Sequence, residues 1–482
     1  LGHPVIVLLH ATADAPGLGG LAALDGVPGI EVRVLEGMPG IDEAVPEPRP
    51  ELGAYVRAIE DLSRGGTRRV VAFPTYSAEC YGLLAAASRT HSEVLRTIGW
   101  MHSDIAYDRL TLLHYSRLIH RFVGVSLEMV GGLRRGLPER EGDVRWVPYG
   151  VEIPRATEHG LSRKPSRGTG PLRLVYTGRM DLEQKRVHAM VAMSDELCRS
   201  GIGHELVLVG DGPAAGVIDG LIAGSPHIRR VSVQPDEIAR WLDWAEVFVL
   251  ASRYEGLSLS MLEAMAHGCV PVVTRVSGAT DAVGEGESAC GVVVDSGPGV
   301  DEPGLGSAMA DGVRRAADMG IAGLGAAARA RAEQRFSEEA MARAVSALCA
   351  EVVGEPGRRW PSDVPAAAGD FTVPSDAAER AARVLDTLSG CRVAIWGAGR
   401  HTRVILRVLG ENSPMLRAVT AVLDDGVVSR GQLVGPWEVV GASGLAALGI
   451  TDVVISSALH EDALWARRHE LERLGIRVHR LY

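Results

Sequence analysis

The residues best suited to chemistry lie between positions 176 and 281. A β-branched run ends near Ser252 and leads into Arg253-Tyr254-Glu255-Gly256-Leu257-Ser258-Leu259-Ser260-Met261-Leu262-Glu263. A strand end, a glycine turn and a helix start in that order present backbone N–H groups and a positive helix dipole to an anion. Glu255 falls before the helix and Glu263 more than a turn inside it. Around a bound diphosphate, carboxylates so placed accept hydrogen bonds from hydroxyls on either side. Alone, such a pair is equally well read as helix capping. Upstream, Tyr176-Thr177-Gly178-Arg179 ends another strand and Lys185-Arg186 opens the next helix. Cations at the carboxyl edge of a parallel sheet neutralise the charge that grows on a departing diphosphate. Among the 50 basic residues only Lys164 and Lys185 are lysine. A merely solvated charge in so arginine-rich a chain would be expected as arginine. Val209-Gly210-Asp211-Gly212-Pro213 and Ser277-Gly278-Ala279-Thr280-Asp281 add two more strand-end turns, each by itself ordinary loop chemistry.

Taken together, these motifs resemble the nucleotide-sugar domain of the retaining GT-B glycosyltransferases of family four, the glycosyl transferases group 1. That family shows a GR…K element, a GDGP turn and an E-x7-E element running into an LEAMA-like helix. Here they stand as Gly178-Arg179…Lys185, Gly210-Asp211-Gly212-Pro213 and Glu255…Glu263 with Ala264-Met265-Ala266. The resemblance implies that Arg179 and Lys185 bind the donor diphosphate, helped by Gly256, Leu257, Ser258 and Leu259. It implies Glu255 on the transferred sugar and Glu263 on the nucleotide ribose. Arg186 replaces the glycine usual after the lysine, and Asp281 stands where the family more often has Glu. No D-x-D pair offers itself to a divalent cation, so no metal and no cofactor is expected beyond a UDP-, GDP- or other NDP-sugar as donor.

Nearer the start, Gly17-Leu18-Gly19-Gly20 makes a turn that permits close approach of a ligand, a weak signal alone. Thr97-Ile98-Gly99-Trp100-Met101-His102-Ser103-Asp104 places His102 at a strand end and resembles the family's histidine loop. By that resemblance His102 is catalytic with Glu255; the plain alternative is a histidine capping the next helix. Gly19, Gly20, Tyr76, Asp104 and Tyr149 are assigned to the acceptor side or cleft. Gly124-Val125-Ser126 and Trp146-Val147-Pro148-Tyr149-Gly150-Val151-Glu152 resemble the family's "VS" and "PNGVD" segments, with Tyr149 in place of Asn. The stretch Asp108–Phe122 reads as a half-buried helix in preference to a membrane-touching one.

Alternating strand and helix patterns carry these residues. Val5–His10, Glu31–Leu35, Arg69–Phe73, Leu95–Trp100 and Phe122–Ser126 form a first strand series. Leu172–Thr177, Glu205–Val209, Ile228–Val233, Val247–Ala251, Val270–Thr274 and Gly291–Asp295 form a second, closed by Ala/Arg-rich helices to about Val353. Such alternation implies parallel sheets with helices on both faces. The expected fold is α/β: two Rossmann-like domains facing a cleft, at 1–165 and 166–353. A proline-bearing linker, 354–374, precedes a third small Rossmann-like domain, 375–482. In that domain Arg392–Trp396 leads into Gly397-Ala398-Gly399, and Ala421–Asp425 ends the next strand. Gly397, Gly399 and Asp424 make a third-domain ligand site, with a structural or oligomerisation role as the equal alternative.

A net charge of −10 excludes a nucleic-acid partner by way of a basic face. No apolar run approaches the roughly 20 residues that span a bilayer. The six cysteines show no metal-ligand spacing, which fits reduced thiols and a cytoplasmic chain. The expectation is a metal-independent retaining glycosyltransferase acting on a small-molecule, natural-product or glycan acceptor. The alternatives are a sugar-nucleotide epimerase and a non-catalytic nucleotide-sugar-binding regulator.

Overall fold

The computed structural model describes residues 4–12, 30–38, 51–74, 78–154, 170–295, 302–364, 366, 377–398, 400–410, 413–424, 433–457 and 461–482. The chain divides into two compact units, one of residues 63–76 and 92–358 and one of residues 2–62, 77–91 and 359–482.

The first unit contains two parallel sheets. Strands β3 (Val70–Ala72), β4 (Leu95–Met101), β5 (Arg121–Gly124) and β6 (Val144–Trp146) pair in that order. Six more strands are β7 (Leu172–Thr177), β8 (His204–Val209), β9 (Ile228–Val231), β10 (Val247–Leu250), β11 (Val270–Thr274) and β12 (Val292–Val294). They pair in the order β12-β11-β10-β7-β8-β9. Every residue of β4, β10 and β11 is buried, as expected where helices cover both faces of a parallel sheet. The chain order reverses between β7 and β10, and a crevice outside the strand ends opens at such a switch point. The loops that leave β7 and β10 carry Gly178–Lys185 and Ser252–Ser258.

The strands anticipated from residue patterns form within a few residues of expectation, and two match to the residue, β7 and β11. Strand β6, Val144–Trp146, was not anticipated. The three Ala/Arg-rich helices are Glu302–Met319, Ile321–Arg335 and Glu338–Val353. The last packs against β3, and Val151 bridges to Ser337.

Beyond that helix the chain is fixed to the four-stranded sheet. Buried Arg96 donates to the Glu355 carbonyl at 2.5 Å and to the Ser92 carbonyl at 3.1 Å. Arg121 pairs with Glu351, Glu355 and Asp143. His120, 1% exposed, accepts from the Thr97 N–H at Nδ1, 3.2 Å away. Its proton therefore sits on Nε2, which donates to the Pro356 carbonyl at 3.2 Å.

The second unit holds the parallel pair β1 (Val5–Thr12) and β2 (Ile30–Met38) and a further six-stranded sheet. Its strands are β13 (Val393–Trp396), β14 (Val419–Leu423), β15 (Leu433–Val434), β16 (Trp437–Val440), β17 (Asp452–Ile455) and β18 (Arg477–His479). They pair in the order β15-β16-β14-β13-β17-β18, with only β15 antiparallel. One apolar cluster, including Val393, Ile395, Val422 and Val454, lines one face. Another, including Ala394, Trp396, Leu423 and Ile455, lines the other. Alternate residues of the same strands feed both cores, as the period of two requires.

Burial pulls the His120 imidazole down to about 4 from 6.5. The unfolded chain therefore takes up this proton first. The stability is whole above the unfolded value and drains away as pH falls towards 4, by about 3 kcal/mol. Urea midpoints measured between pH 7.5 and 4.5 should show this loss, and His120→Gln should flatten it.

Candidate functional site

Glycine makes the crevice possible. Gly178, Gly210 and Gly212 have φ of 152°, 141° and 154°, backbone that side chains rarely adopt. A Cβ on Gly210 would lie 2.0 Å from the Gly178 carbonyl oxygen. The turns after β7 and β8 thus nest backbone on backbone. The Tyr176 hydroxyl donates to the Arg179 carbonyl at 2.7 Å and holds the first turn from below.

The loop from Asp181 to Arg186 is organised by one carboxylate. Asp181 Oδ1 accepts from the amides of Glu183, Gln184 and Lys185 at 3.0, 2.6 and 3.3 Å. This turns Lys185 toward the loop leaving β10. There Lys185 Nζ lies 2.5 Å from Glu255 Oε1, and the Ser252 hydroxyl donates to the same oxygen at 2.6 Å. Glu255 is 8% exposed. Arg179 is more open and pairs with Asp181 at 3.2 Å and Gln184 at 3.3 Å. The structure therefore brings Arg179, Lys185 and Glu255 to the switch point. Lys185, anticipated as a diphosphate ligand, is engaged by Glu255 itself.

After Gly256 the helix Leu259–Ala266 begins, capped by Ser258, whose hydroxyl accepts from the Met261 N–H at 3.3 Å. Glu263 sits one turn inside, half-buried, and burial pushes its carboxyl up. Among the described residues no donor is bonded to it. One glutamate of the pair is thus committed to a lysine and a serine, and the other retains its accepting lone pairs.

Residues of the four-stranded sheet complete the site. A Cβ on Gly256 would lie 2.0 Å from the carbonyl oxygen of His102, and the Asp104 N–H reaches the Glu255 carbonyl at 3.4 Å. Ser126 and Ser277 share a hydrogen bond of 2.6 Å, and the Leu127 N–H donates to Asp281 Oδ2 at 2.7 Å. The "VS" segment therefore meets the turn carrying Asp281, where a shorter carboxylate reaches its amide. His102 follows β4 directly. The next helix starts at Ala106 with Ile105 as its cap, so His102 does not cap it.

The rings of Trp100, His102 and Tyr149 lie nearly parallel, successive centroids 5.8 and 5.9 Å apart. The Tyr149 hydroxyl is 2.6 Å from His102 Nδ1. A phenol is a better acid than a neutral imidazole, so the hydroxyl donates and the ring proton is left on Nε2. Burial pulls His102 down to about 4, leaving it neutral near pH 7. Below it, Asp108 accepts from the Ser103 N–H at 3.1 Å, and burial pushes its carboxyl up to about 6. Asp108 and Ser126 were not singled out as site residues. Ser126 lies just past the end of β5, and Asp108 in the first turn of the helix Ala106–His114.

In the second unit Gly397 and Asp424 follow the paired strands β13 and β14, while that sheet's own order reverses on the other side of β13, against β17. Asp424 Oδ2 accepts from the Ala398 N–H at 3.0 Å. Thr402, where the third glycine of a dinucleotide turn would stand, donates to the Gly397 carbonyl at 2.5 Å. Gly19, Gly20, Tyr76 and Gly399 lie outside the described residues.

Residues 171–315 match the family described as Glycosyl transferases group 1. The chain is 30% identical over 112 residues to a sulfoquinovosyl transferase of Arabidopsis thaliana, which is 23% of this chain and 21% of that one. It is 31% identical over 125 residues to the alpha-D-kanosaminyltransferase of Streptomyces kanamyceticus, 25% of this chain and 32% of that one. The chain thus spans a fifth to a third of the length of these relatives. Among solved structures it resembles Anabaena HepE in complex with UDP and glucose, with a TM-score of 0.52 and 15% identity. That likeness covers 71% of this chain and 91% of that one. The family match falls on the six-stranded sheet of the first unit, and the α/β fold is shared with GT-B glycosyltransferases.

Because the Gly256 backbone rests on the His102 carbonyl, Gly256→Ala should cost at least about 2 kcal/mol of stability. The check is a urea melt of the variant beside Gly216→Ala, where an added Cβ meets nothing within 4 Å; an unchanged midpoint for Gly256→Ala would contradict the packing described.

Proposed function

We propose that this chain is a retaining glycosyltransferase that takes its sugar from a nucleoside-diphosphate donor bound at the β7/β10 switch point. The observation that carries this reading is the gathering of Arg179, Lys185 and Glu255 at one strand-end crevice, with Glu263 on the helix that begins there. The match over 171–315 supports it independently. Arg179, Lys185 and the helix start at Leu257–Leu259 would meet the diphosphate charge without a divalent cation. Glu263, with its lone pairs unspent, accepts from ribose hydroxyls, and Glu255 from the transferred sugar. Neutral His102, its Nε2 proton set by Tyr149, donates to the sugar.

The reaction in this reading runs on one face. The acceptor oxygen bonds to the anomeric carbon as the bond from that carbon to the phosphate oxygen breaks. The acceptor proton passes to the departing phosphate, and Lys185 holds the charge that develops there. The configuration is retained because attack and departure share a face. Acceptors are small molecules or glycans. The alpha-D-kanosaminyltransferase relative favours testing amino-sugar and natural-product acceptors first, and the UDP in HepE makes UDP-sugars the first donors.

Melting temperatures with UDP-, GDP-, ADP- and dTDP-sugars provide the test. One nucleotide at about 100 times its Kd should add about 2.7 kcal/mol, a rise of several degrees. Lys185→Ala and Glu263→Ala should each lose that rise; retention in both variants would move the donor site elsewhere. With the same donor, Tyr149→Phe should lower kcat about three- to tenfold, the worth of one hydrogen bond, and leave the donor KM nearly unchanged. Product anomeric configuration read by NMR decides retention.

A further inference from the structure

We infer that Arg186 is a positioning residue, which locks the lysine-bearing loop onto the backbone that presents Glu255. The inference rests on the donor-site reading above and assigns a part of that site that contacts no substrate. Its backbone has φ 46° and ψ 47°, a left-handed conformation that suits glycine. A bulky residue persists there only where its surroundings fix it.

Its side chain supplies the reason. Arg186 is 6% exposed, and Nε donates to the Ala251 carbonyl at 2.7 Å and Nη2 to the Ser252 carbonyl at 2.9 Å. These are the first two carbonyls after β10, and the Ser252 side chain carries Glu255. The Thr274 hydroxyl donates to the same Ser252 carbonyl at 2.6 Å. The Arg253 N–H donates to the Gln184 carbonyl at 2.7 Å, so the loops are laced on both sides of the Lys185–Glu255 pair. A guanidinium is a rigid fork, and here both prongs grip main chain. Its backbone also caps the helix Val187–Arg199, directly after Lys185. One residue therefore sets where the ammonium and the carboxylate meet. Gripping carbonyls, the guanidinium serves the site through its neighbours.

The test is Arg186→Gly, because glycine takes this backbone without strain and the fork alone is lost. The assay is nucleotide release from whichever UDP-, GDP-, ADP- or dTDP-sugar raises the melting temperature most, with Lys185→Ala alongside. The expected result is a melting temperature close to wild type with kcat lowered about 10- to 100-fold. Added guanidinium ion at millimolar levels should restore part of the loss, which a purely structural role would not allow. Arg186→Lys, with one compact charge in place of a fork, should fall between. Activity of Arg186→Gly within twofold of wild type would overturn the inference, as would a loss matching the fraction unfolded. If Lys185→Ala also stays active, the donor-site reading fails with it. If Lys185→Ala is inactive while Arg186→Gly is not, the inference alone fails.

Discussion

An ammonium and a carboxylate meeting at 2.5 Å, Lys185 on Glu255, bind two loops that lie some 70 residues apart in the chain. Both groups are largely withdrawn from water, where an ion pair persists only with good geometry and further hydrogen bonds. Ser252 supplies one such bond on the carboxylate, and Asp181 orders the amides that carry the lysine. Around this contact the rest of the site is arranged. The switch point puts β7 beside β10, the glycine turns let the backbones close in, and the four-stranded sheet brings His102 to Gly256.

Close approach explains why so much of the site is glycine. Where Gly210 meets Gly178 and Gly256 meets His102, carbonyl oxygens occupy the place of a side chain. Two of the three departures from the family pattern have different physical answers. Arg186 accepts an unfavourable backbone because its guanidinium finds two carbonyls. Tyr149 replaces an amide with a phenol that reaches Nδ1 of His102.

How far was this legible in the residues alone? The β-branched runs of β7 and β11 stood out because both faces of those strands are buried, so burial writes itself into composition. Lys185 stood out against an arginine background, and Glu255 and Glu263 by their place around a glycine turn. The pairing of Lys185 with Glu255 was not legible, because spacing gives no angle between loops. Nor was the Trp100–His102–Tyr149 alignment, which depends on ring orientations at the ends of separate segments. The buried ties of Arg96 and His120 were hidden for another reason: charged and titratable residues read as surface until their acceptors, backbone carbonyls that every residue carries, are seen.

Those ties have a consequence for how the protein is made. Arg96 meets the Glu355 carbonyl across 259 residues of chain, and His120 meets Pro356 across 236. Closing loops of that length costs only slightly more than closing shorter ones, so the finished molecule bears them easily. A ribosome does not, because it delivers the partners in order. Until the segment at 355 emerges, the guanidinium of Arg96 and the imidazole of His120 remain on a nascent sheet with those bonds unmade. The four-stranded sheet is therefore the earlier of the two to be synthesised in the first unit and the later to be completed.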